Sequence, residues 1–135
     1  MTQKIVTHRT FKAHLRKDGI IEVIHFKGVD MSLQDAIEGV DIIKEHYLVD
    51  GKKRPLFTDY TLIKSQSREC RVFFASDGNA KNFSSVAILT GSSFGNIIAN
   101  FYMGFNKPVI PTRLFSSKEK AIAWLKEVSP VLTEV

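Results

Sequence analysis

The 135-residue sequence contains one cysteine, four prolines and no long apolar run. The single cysteine, Cys70, cannot form an internal disulfide, and such usage is typical of proteins of the reducing cytoplasm. No apolar stretch approaches the ~20 residues of a membrane-spanning helix. The N-terminal residues lack the apolar core and the cleavage site of a signal peptide. We therefore expect a cytoplasmic protein without a transmembrane segment.

Motifs for metals, nucleotides and cofactors are also missing. The chain has no C-x-x-C or H-x-x-x-H pair, no G-x-G-x-x-G and no G-K-[ST]. Three histidines could meet across an N-terminal hairpin, but without an acid or a cysteine they are weak evidence for a metal site: His8, His14 and His25. The sequence thus predicts neither a metal nor a cofactor.

Positive charge is in excess, with a formal net charge of +5. The first acidic residue is Asp18, after several basic residues, and residues 52–54 form a second basic cluster. Such a face could meet nucleic acid or anionic lipid. We favour an edge strand that lysines and arginines keep from pairing with other chains, because no nucleic-acid-binding motif accompanies the charge. No nucleic-acid partner is expected.

One stretch, residues 85–115, indicates the fold most clearly. Residues 86–89 are continuously apolar, as in a parallel strand that is covered on both faces. A Gly/Ser turn follows, in which Ser92 or Ser93 can cap the next helix. Residues 112–115 then form another strand. Large apolar side chains recur along the intervening helix at the spacing of one face: Phe94, Ile97, Ile98, Phe101 and Phe105.

The same alternation of strand and helix extends towards the N-terminus. Residues 10–16 and 20–26 form two strands joined by an Asp-Gly hairpin turn. The second of these strands mixes apolar and polar residues, as a strand near the edge of a sheet does. A helix then opens with a capping pair, Ser32 and Asp35, and a strand at residues 55–60 follows it.

Two further helices complete the pattern. Ser65 or Ser67 caps the first of them, and an Asp-Gly-Asn sequence is its stop signal. Ser116 and Glu119 form a capping box for the last helix. The apolar face of that helix contains Ala121, Ile122, Leu125 and Val128.

The element order ββαβαβαβα predicts an α/β fold with right-handed crossovers. We expect a single domain over residues 1–135, with an ordered core at about residues 10–128. The sheet is predicted to be mostly parallel and five-stranded, with an N-terminal antiparallel strand and four helices.

Candidate functional groups gather where strands of the predicted sheet end. Asp59 ends one strand, Ser65 and Ser67 begin the helix after it, and Gly91 follows the neighbouring strand. Ligands of open α/β sheets bind beyond the carboxyl ends of the strands. A phosphate on Ser65 would place about two negative charges at a positive helix end, with Arg68 close by. The alternative, which we favour, is that both serines are simple N-caps.

Residues 91–95 match G-x-S-x-G, the nucleophile elbow of serine hydrolases, and lie between a strand and a helix as that motif requires. An elbow hydrolase carries its acid and its histidine after the serine. Here all four histidines precede Ser93, and no aspartate follows it. Hydrolysis with Ser93 as nucleophile is therefore the least favoured function, and we predict that the protein is not an enzyme.

The sequence contains the segments LFTDYTLIKSQSRECRVFFAS and VAILTGSSFGNIIANFYMGFNKPVIPTRLFSSKEKAIAWL. They resemble bacterial SpoIIAA-like proteins of the STAS/CRAL-TRIO type, in an uncharacterised branch, and the resemblance covers about residues 10–127. It implies a β-α superhelix that acts as a protein-interaction module. Some members carry a phosphorylatable serine at the start of the helix after the third strand. Ser65 lies nearest that place, although the usual D-S-[ST]-G-L is absent and Lys64 stands where the aspartate would be.

CRAL-TRIO relatives hold lipids, so the resemblance also allows a small apolar pocket in this chain. Core packing is the reading that we favour for the aromatic residues that could line it: Phe73, Phe74, Phe101, Tyr102 and Phe105.

We therefore predict a non-enzymatic regulatory module that binds a protein partner or a second copy of itself as a homodimer. Ser65 is its candidate phosphorylation site. A carrier of a small apolar or lipid ligand is the alternative. The expected working surface consists of Asp59, Ser65, Ser67, Arg68, Gly91, Ser92 and Ser93.

Overall fold

A computed structural model of the chain describes residues 4–103 and 107–129, without the side chains of residues 77, 92–94, 102 and 103. The strands are β1 (Val6–Thr7), β2 (Phe11–Leu15), β3 (Ile21–His25), β4 (Asp30–Met31), β5 (Arg54–Asp59), β6 (Ser65–Gln66), β7 (Phe83–Leu89) and β8 (Thr112–Phe115). The helices are α1 (Leu33–Tyr47), α2 (Arg68–Phe73), α3 (Ser92–Met103) and α4 (Lys118–Val128). A wider π-helical turn, Phe74–Gly78, continues α2.

The main sheet has six strands in the order β1-β2-β3-β5-β7-β8. The pairs β1–β2 and β2–β3 are antiparallel, and β3, β5, β7 and β8 are parallel. The Asp-Gly hairpin turn joins β2 to β3, with Gly19 at φ +85°. The predicted α/β fold, with a mostly parallel sheet, N-terminal antiparallel pairing and four helices, is confirmed. The structure adds the short strand β1 and a separate parallel pair, β4–β6.

The strand β3 lies inside the sheet, between β2 and β5, so the prediction that it lies near an edge is wrong. Its polar residues Glu22 and His25 suggested exposure, but both are buried. Each has a partner from a distant part of the chain, because Lys118 donates a hydrogen bond to Glu22 and His25 pairs with Thr58. Buried polar groups are tolerated where such partners exist.

Helices cover both faces of the sheet, which explains the continuous apolar runs in the central strands. In β5, Leu56 belongs to the core beneath α1, α2 and α3, whereas the next residue, Phe57, belongs to the core beneath α4. Leu125 of α4 is fully buried in the second core. None of the helices in the described part of the chain is both long and apolar enough to cross a bilayer.

Side-chain caps fix where the helices begin. The predicted capping box of Ser32 and Asp35 at α1 is confirmed, since each side chain bonds the backbone N–H of the other. Ser67 caps α2 by accepting a hydrogen bond from the N–H of Cys70 at 3.1 Å. Ser65 does not cap this helix, because it lies in β6.

Two details of the helix predictions are wrong. Ser117, and not Ser116, caps α4 by accepting from the N–H of Lys120 at 3.4 Å. Val128, predicted on the apolar face of α4, is exposed, whereas Ser129, which follows the helix, is buried and hydrogen-bonds Ser85.

In α3, Ile98 is buried, but Ile97, predicted on the same stripe, is half exposed. The predicted cap by Ser92 or Ser93, and the place of Phe105 in the stripe, lie outside the described residues and side chains.

Candidate functional site

The carboxyl ends of the parallel strands meet at one edge of the sheet. Asp59 at the end of β5 is in register with Leu89 of β7, which is in register with Phe115 of β8. The N–H of Tyr60 donates to the carbonyl of Leu89 at 2.8 Å and so ties the loop after β5 to β7. Gly91 follows β7 at the same edge. Two residues of the predicted working surface, Asp59 and Gly91, therefore lie at this edge.

The carboxylate of Asp59 fixes the turn that follows its own strand. Its Oδ1 atom accepts hydrogen bonds from the backbone N–H of Thr61 at 2.8 Å and from the hydroxyl of Thr61 at 2.6 Å. Such a local bond from an Asp side chain to the backbone two residues on stabilises a turn. Asp59 thereby positions the loop that leads to Ser65.

Ser65 lies in β6, where its exposed hydroxyl donates a hydrogen bond to Oδ1 of Asp30 at 2.5 Å. We call this contact the Asp30–Ser65 bridge. The two residues also face each other in the parallel pair β4–β6. Sequence reasoning missed Asp30, because a strand of two residues has no periodicity that a pattern could reveal.

Backbone hydrogen bonds join the two loops on either side of the Asp30–Ser65 bridge. The N–H of Gly28 donates to the carbonyl of Leu62 at 2.9 Å, and the N–H of Lys64 donates to the carbonyl of Val29 at 2.8 Å. The N–H of Ser67 donates to the carbonyl of Met31 at 2.9 Å. The segment before α1 and the segment before α2 are therefore held side by side.

Two arginines of α2 contact the aromatic ring of Phe101 in α3. The guanidinium carbon of Arg68 lies 5.7 Å from the ring centroid, and that of Arg71 lies 5.2 Å from it. These are distances at which a cation is attracted to the face of an aromatic ring. Arg71 also donates to the carbonyl of Gln66 at 2.6 Å. The arginines thus link β6 and α2 to α3.

An open apolar groove of about 400 Å³ lies between α1 and α2. We call it the α1–α2 groove. Its floor and rim are formed by Leu33, Ile37, Arg68, Glu69, Val72 and Phe73. Met31 lies two residues before the start of α1 and Gln66 two residues before the start of α2, so the groove begins where the pair β4–β6 ends.

The aromatic residues that could line an apolar pocket lie in three environments where they are described. Phe73 borders the α1–α2 groove, and Phe74 borders a cavity in the interior. Phe101 lies beneath the two arginines. The side chain of Tyr102 and the whole of Phe105 lie outside the description, so a pocket shared by all five remains a prediction.

The G-x-S-x-G sequence lies at the junction of β7 and α3, and the N–H of Gly95 donates to the carbonyl of Gly91 at 2.8 Å. The side chains of Ser92 and Ser93 are outside the description. Among the side chains that the structure describes, the hydrogen bonds and ion pairs of the four histidines are with residues outside α3: Thr10, Glu22, Glu38, Thr58 and Lys4. Catalysis by Ser93 remains the least favoured prediction.

Among the side chains that the structure describes, acidic, cysteine and histidine residues do not form a group of three or more that could hold a metal ion. His14 of β2 contacts Glu22 of β3 at 3.8 Å, and His8 contacts Glu38 of α1 at 3.1 Å. Each of these contacts joins one histidine to one carboxylate.

Comparison with known proteins places the chain in a family and a fold. The model of a family described as a domain of unknown function, DUF7793, matches residues 14–129. An uncharacterised protein of the DUF3478 family from Shewanella loihica, which has a SpoIIAA-like fold, is similar over 92% of each chain, with a TM-score of 0.53 and 17% sequence identity. At that identity the likeness shows the fold alone. No curated protein sequence matches the chain.

Proposed function

The chain belongs to the DUF7793 family of domains of unknown function, and from this premise and its SpoIIAA-like fold we propose that it is a non-enzymatic regulatory module of the STAS type. It binds a protein partner at the α1–α2 groove and works in the cytoplasm, where its one buried thiol stays reduced. The observation that carries the proposal is an exposed, hydrogen-bonded hydroxyl, Ser65, in the strand that leads into one wall of an open apolar groove.

The α1–α2 groove has the character of a protein-binding surface. Leu33 and Val72 are each more than a third exposed, at 36% and 37%, although both are large apolar side chains. Arg68 and Glu69 supply charge of both signs at its rim. An apolar centre with a polar rim is the usual anatomy of a protein interface, and grooves between helices accept apolar side chains from a partner segment.

The contacts of the Ser65 hydroxyl support a role for this residue in control of the groove. In the unmodified protein its hydroxyl donates to the carboxylate of Asp30. A phosphate on Ser65 would put about two negative charges against that carboxylate and would remove the donor, so the Asp30–Ser65 bridge would be replaced by repulsion. Because β4 leads into α1 and β6 into α2, separation of β4 from β6 moves the two walls of the groove relative to each other. The partner then binds one state in preference to the other.

Capture of the partner tests this proposal. Tagged wild-type protein and the variants Ser65→Asp, Val72→Asp and Ser116→Asp are used to recover proteins from an extract of the source cells, and the recovered proteins are compared by quantitative mass spectrometry. Ser116 is exposed and lies before α4, so Ser116→Asp adds the same charge away from the groove. We expect one partner to be retained by wild type and by Ser116→Asp.

Recovery of that partner should fall at least about tenfold with Val72→Asp and with Ser65→Asp, which corresponds to about 1.4 kcal/mol of binding free energy or more. Circular dichroism and thermal unfolding verify that each variant is folded. The same partners at the same yield with all four proteins would contradict the proposal. If the partner is a second copy of the chain, Val72→Asp should convert a dimer into a monomer in size-exclusion chromatography with light scattering.

A further inference from the structure

The strand β8 forms one edge of the main sheet, because it pairs with β7 and with no other strand of the described chain. The carbonyl of Pro111 accepts a hydrogen bond from the N–H of Val86 at 2.9 Å, and the carbonyl of Phe115 accepts one from the residue after β7 at 3.0 Å. Successive residues of a strand direct their backbone groups to alternate sides. The N–H and C=O groups of Thr112 and Leu114 therefore point away from the sheet.

These outward groups have no backbone hydrogen-bond partner among the residues that the structure describes. An edge strand with unpaired N–H and C=O groups is a template for pairing with another strand. The strand at the other edge, β1, is a weaker template because it has only two residues, Val6 and Thr7. β8 is therefore the edge at which the sheet can be extended.

The side chains of β8 differ between the two faces of the sheet. Arg113 is exposed, and its guanidinium carbon lies 5.2 Å from the ring centroid of Phe115. Trp124 of α4 packs on the same ring, with centroids 5.7 Å apart. Leu114 packs against the core on the opposite face. The strand thus carries a cation and an aromatic ring on the face of α4, and an aliphatic side chain on the other.

We propose that β8 is an interface at which two copies of the chain pair their edge strands antiparallel, about a two-fold axis at Leu114. The result is one sheet of twelve strands, six from each copy. In this register the two Leu114 residues lie opposite each other and exchange both N–H···O=C bonds. Arg113 of each copy lies opposite Phe115 of the other, and a cation beside an aromatic ring is attracted to it.

Charge disfavours the nearest alternative register. With the axis at Arg113, the two guanidinium groups would lie directly opposite each other, and like charges at opposite positions destabilise a strand pair. Symmetry favours a closed dimer, because pairing of β8 with β8 uses the same patch on both copies and stops at two. Pairing of β8 with β1 of the next copy would leave a free edge at each end and would continue without closing.

The proposed interface is separate from the α1–α2 groove, because no residue of β8 lines that groove. The helix that packs against β8 through Trp124 is α4, which lies on the other face of the sheet from α1 and α2. A dimer formed through β8 therefore leaves the groove open for a different protein. The pairing of two copies does not depend on the function proposed above.

Amide hydrogen exchange at a low and a high protein concentration tests the interface. The N–H of Leu114 is hydrogen-bonded only in the dimer, so its exchange should slow at least about tenfold at the high concentration. The N–H groups of Arg113 and Phe115 point towards β7 and should be protected at both concentrations. Light scattering at the high concentration should give about 30 kDa, twice the 15.2 kDa of one chain.

Three variants separate this interface from other contacts. Arg113→Glu places a carboxylate opposite the ring of Phe115 and should raise the dissociation constant of the dimer at least about tenfold. Lys12→Glu makes the same change in charge at an exposed position of β2, away from β8, and should leave the constant unchanged. Val72→Asp alters the α1–α2 groove and should also leave it unchanged.

A monomer at every concentration would overturn the proposal. So would a dimer that Val72→Asp dissociates and Arg113→Glu does not, because the groove would then join the two copies. Equal weakening by Arg113→Glu and Lys12→Glu, or a dimer in which the N–H of Leu114 exchanges freely, would overturn it as well. If circular dichroism shows that Arg113→Glu does not fold, the exchange of the Leu114 amide in wild type still decides.

Discussion

Lys118 Nζ donates a hydrogen bond to Glu22 Oε2 at 2.7 Å, although the two residues are 96 positions apart in the chain. Only 4% of the Glu22 side chain is exposed. Arg16 donates to the other oxygen at 3.2 Å. Burial raises the pKa of Glu22, but the hydrogen bonds and charges of the two cations together lower it by more. The pKa of Glu22 therefore lies below its usual value. The contact holds the start of α4 against β3.

We predict that Lys118→Ala destabilises the fold by about 1 kcal/mol, because it leaves a buried carboxylate with one cation fewer. The loss stays modest because half of the Lys118 side chain reaches water, which screens the pair. Lys120→Ala, an exposed lysine of the same helix, should change the free energy of unfolding by less than about 0.5 kcal/mol. Urea unfolding measures both, and equal effects would contradict the role given to Lys118.

Burial of His25 predicts a loss of stability in mild acid. Its pKa falls from 6.5 to about 4 in the folded protein because burial disfavours the charged ring. Between these values the unfolded chain binds a proton that the folded chain does not bind. The free energy of unfolding should therefore decrease as the pH falls from about 6.5 to about 4, by roughly 3 kcal/mol at most.

Urea unfolding at a series of pH values checks this loss. His25→Gln should flatten the decline, since its side chain does not titrate and can still bond Thr58. His46→Gln, at a partly exposed position in α1, should retain the full decline. If the free energy of unfolding decreased equally with falling pH in wild type and in His25→Gln, the pKa of His25 would not be lowered in the folded state.

The cap of α4 predicts different effects for two adjacent serines. Ser117→Ala removes the hydroxyl that accepts from the N–H of Lys120 and should lower the free energy of unfolding by about 0.5–1 kcal/mol. Ser116→Ala removes an exposed hydroxyl and should have almost no effect. Thermal unfolding compares the two variants. A larger loss of stability in Ser116→Ala than in Ser117→Ala would instead support the capping box of Ser116 that the sequence predicted.

Cys70 should be inert in the folded protein. Its side chain is fully buried, and burial raises the pKa of the thiol to about 12. The reactive thiolate is therefore scarce and shielded at pH 8. Reaction with 5,5′-dithiobis(2-nitrobenzoate), followed by absorbance, should be slow in buffer and complete within the mixing time in denaturing urea. Rapid modification of folded protein would show that α2 opens readily.

Local sequence signals predicted the elements that are long or sharply bounded. The Asp-Gly turn predicted the hairpin β2–β3, and the apolar run in β7 predicted a strand that is covered on both faces. Both predictions were possible because each signal depends on neighbouring residues alone. The polar residues Glu22 and His25 led to the wrong prediction that β3 lies near an edge of the sheet. Their burial depends on Lys118 and Thr58, which only the folded chain brings near.

The candidate site was harder to predict for the same reason. Sequence reasoning selected Ser65 from its place beyond the end of a strand and from a resemblance, but it did not select Asp30, since two-residue strands leave no pattern. Asn79 was read as part of a stop signal. It follows a π-helical turn and lines the same interior cavity as His25. No residue preference predicts such a turn, because its hydrogen-bond pattern is not a matter of local composition.

Hydrogen exchange in Ser65→Asp tests the central claim most directly, because it needs no partner. If negative charge at Ser65 separates β4 from β6, the amides that join these segments should exchange at least about tenfold faster than in Ser116→Asp: Gly28, Lys64, Ser65 and Ser67. The amides of the main sheet should keep their wild-type rates. Equal rates at residues 28–32 and 62–67 in the two variants would contradict the account.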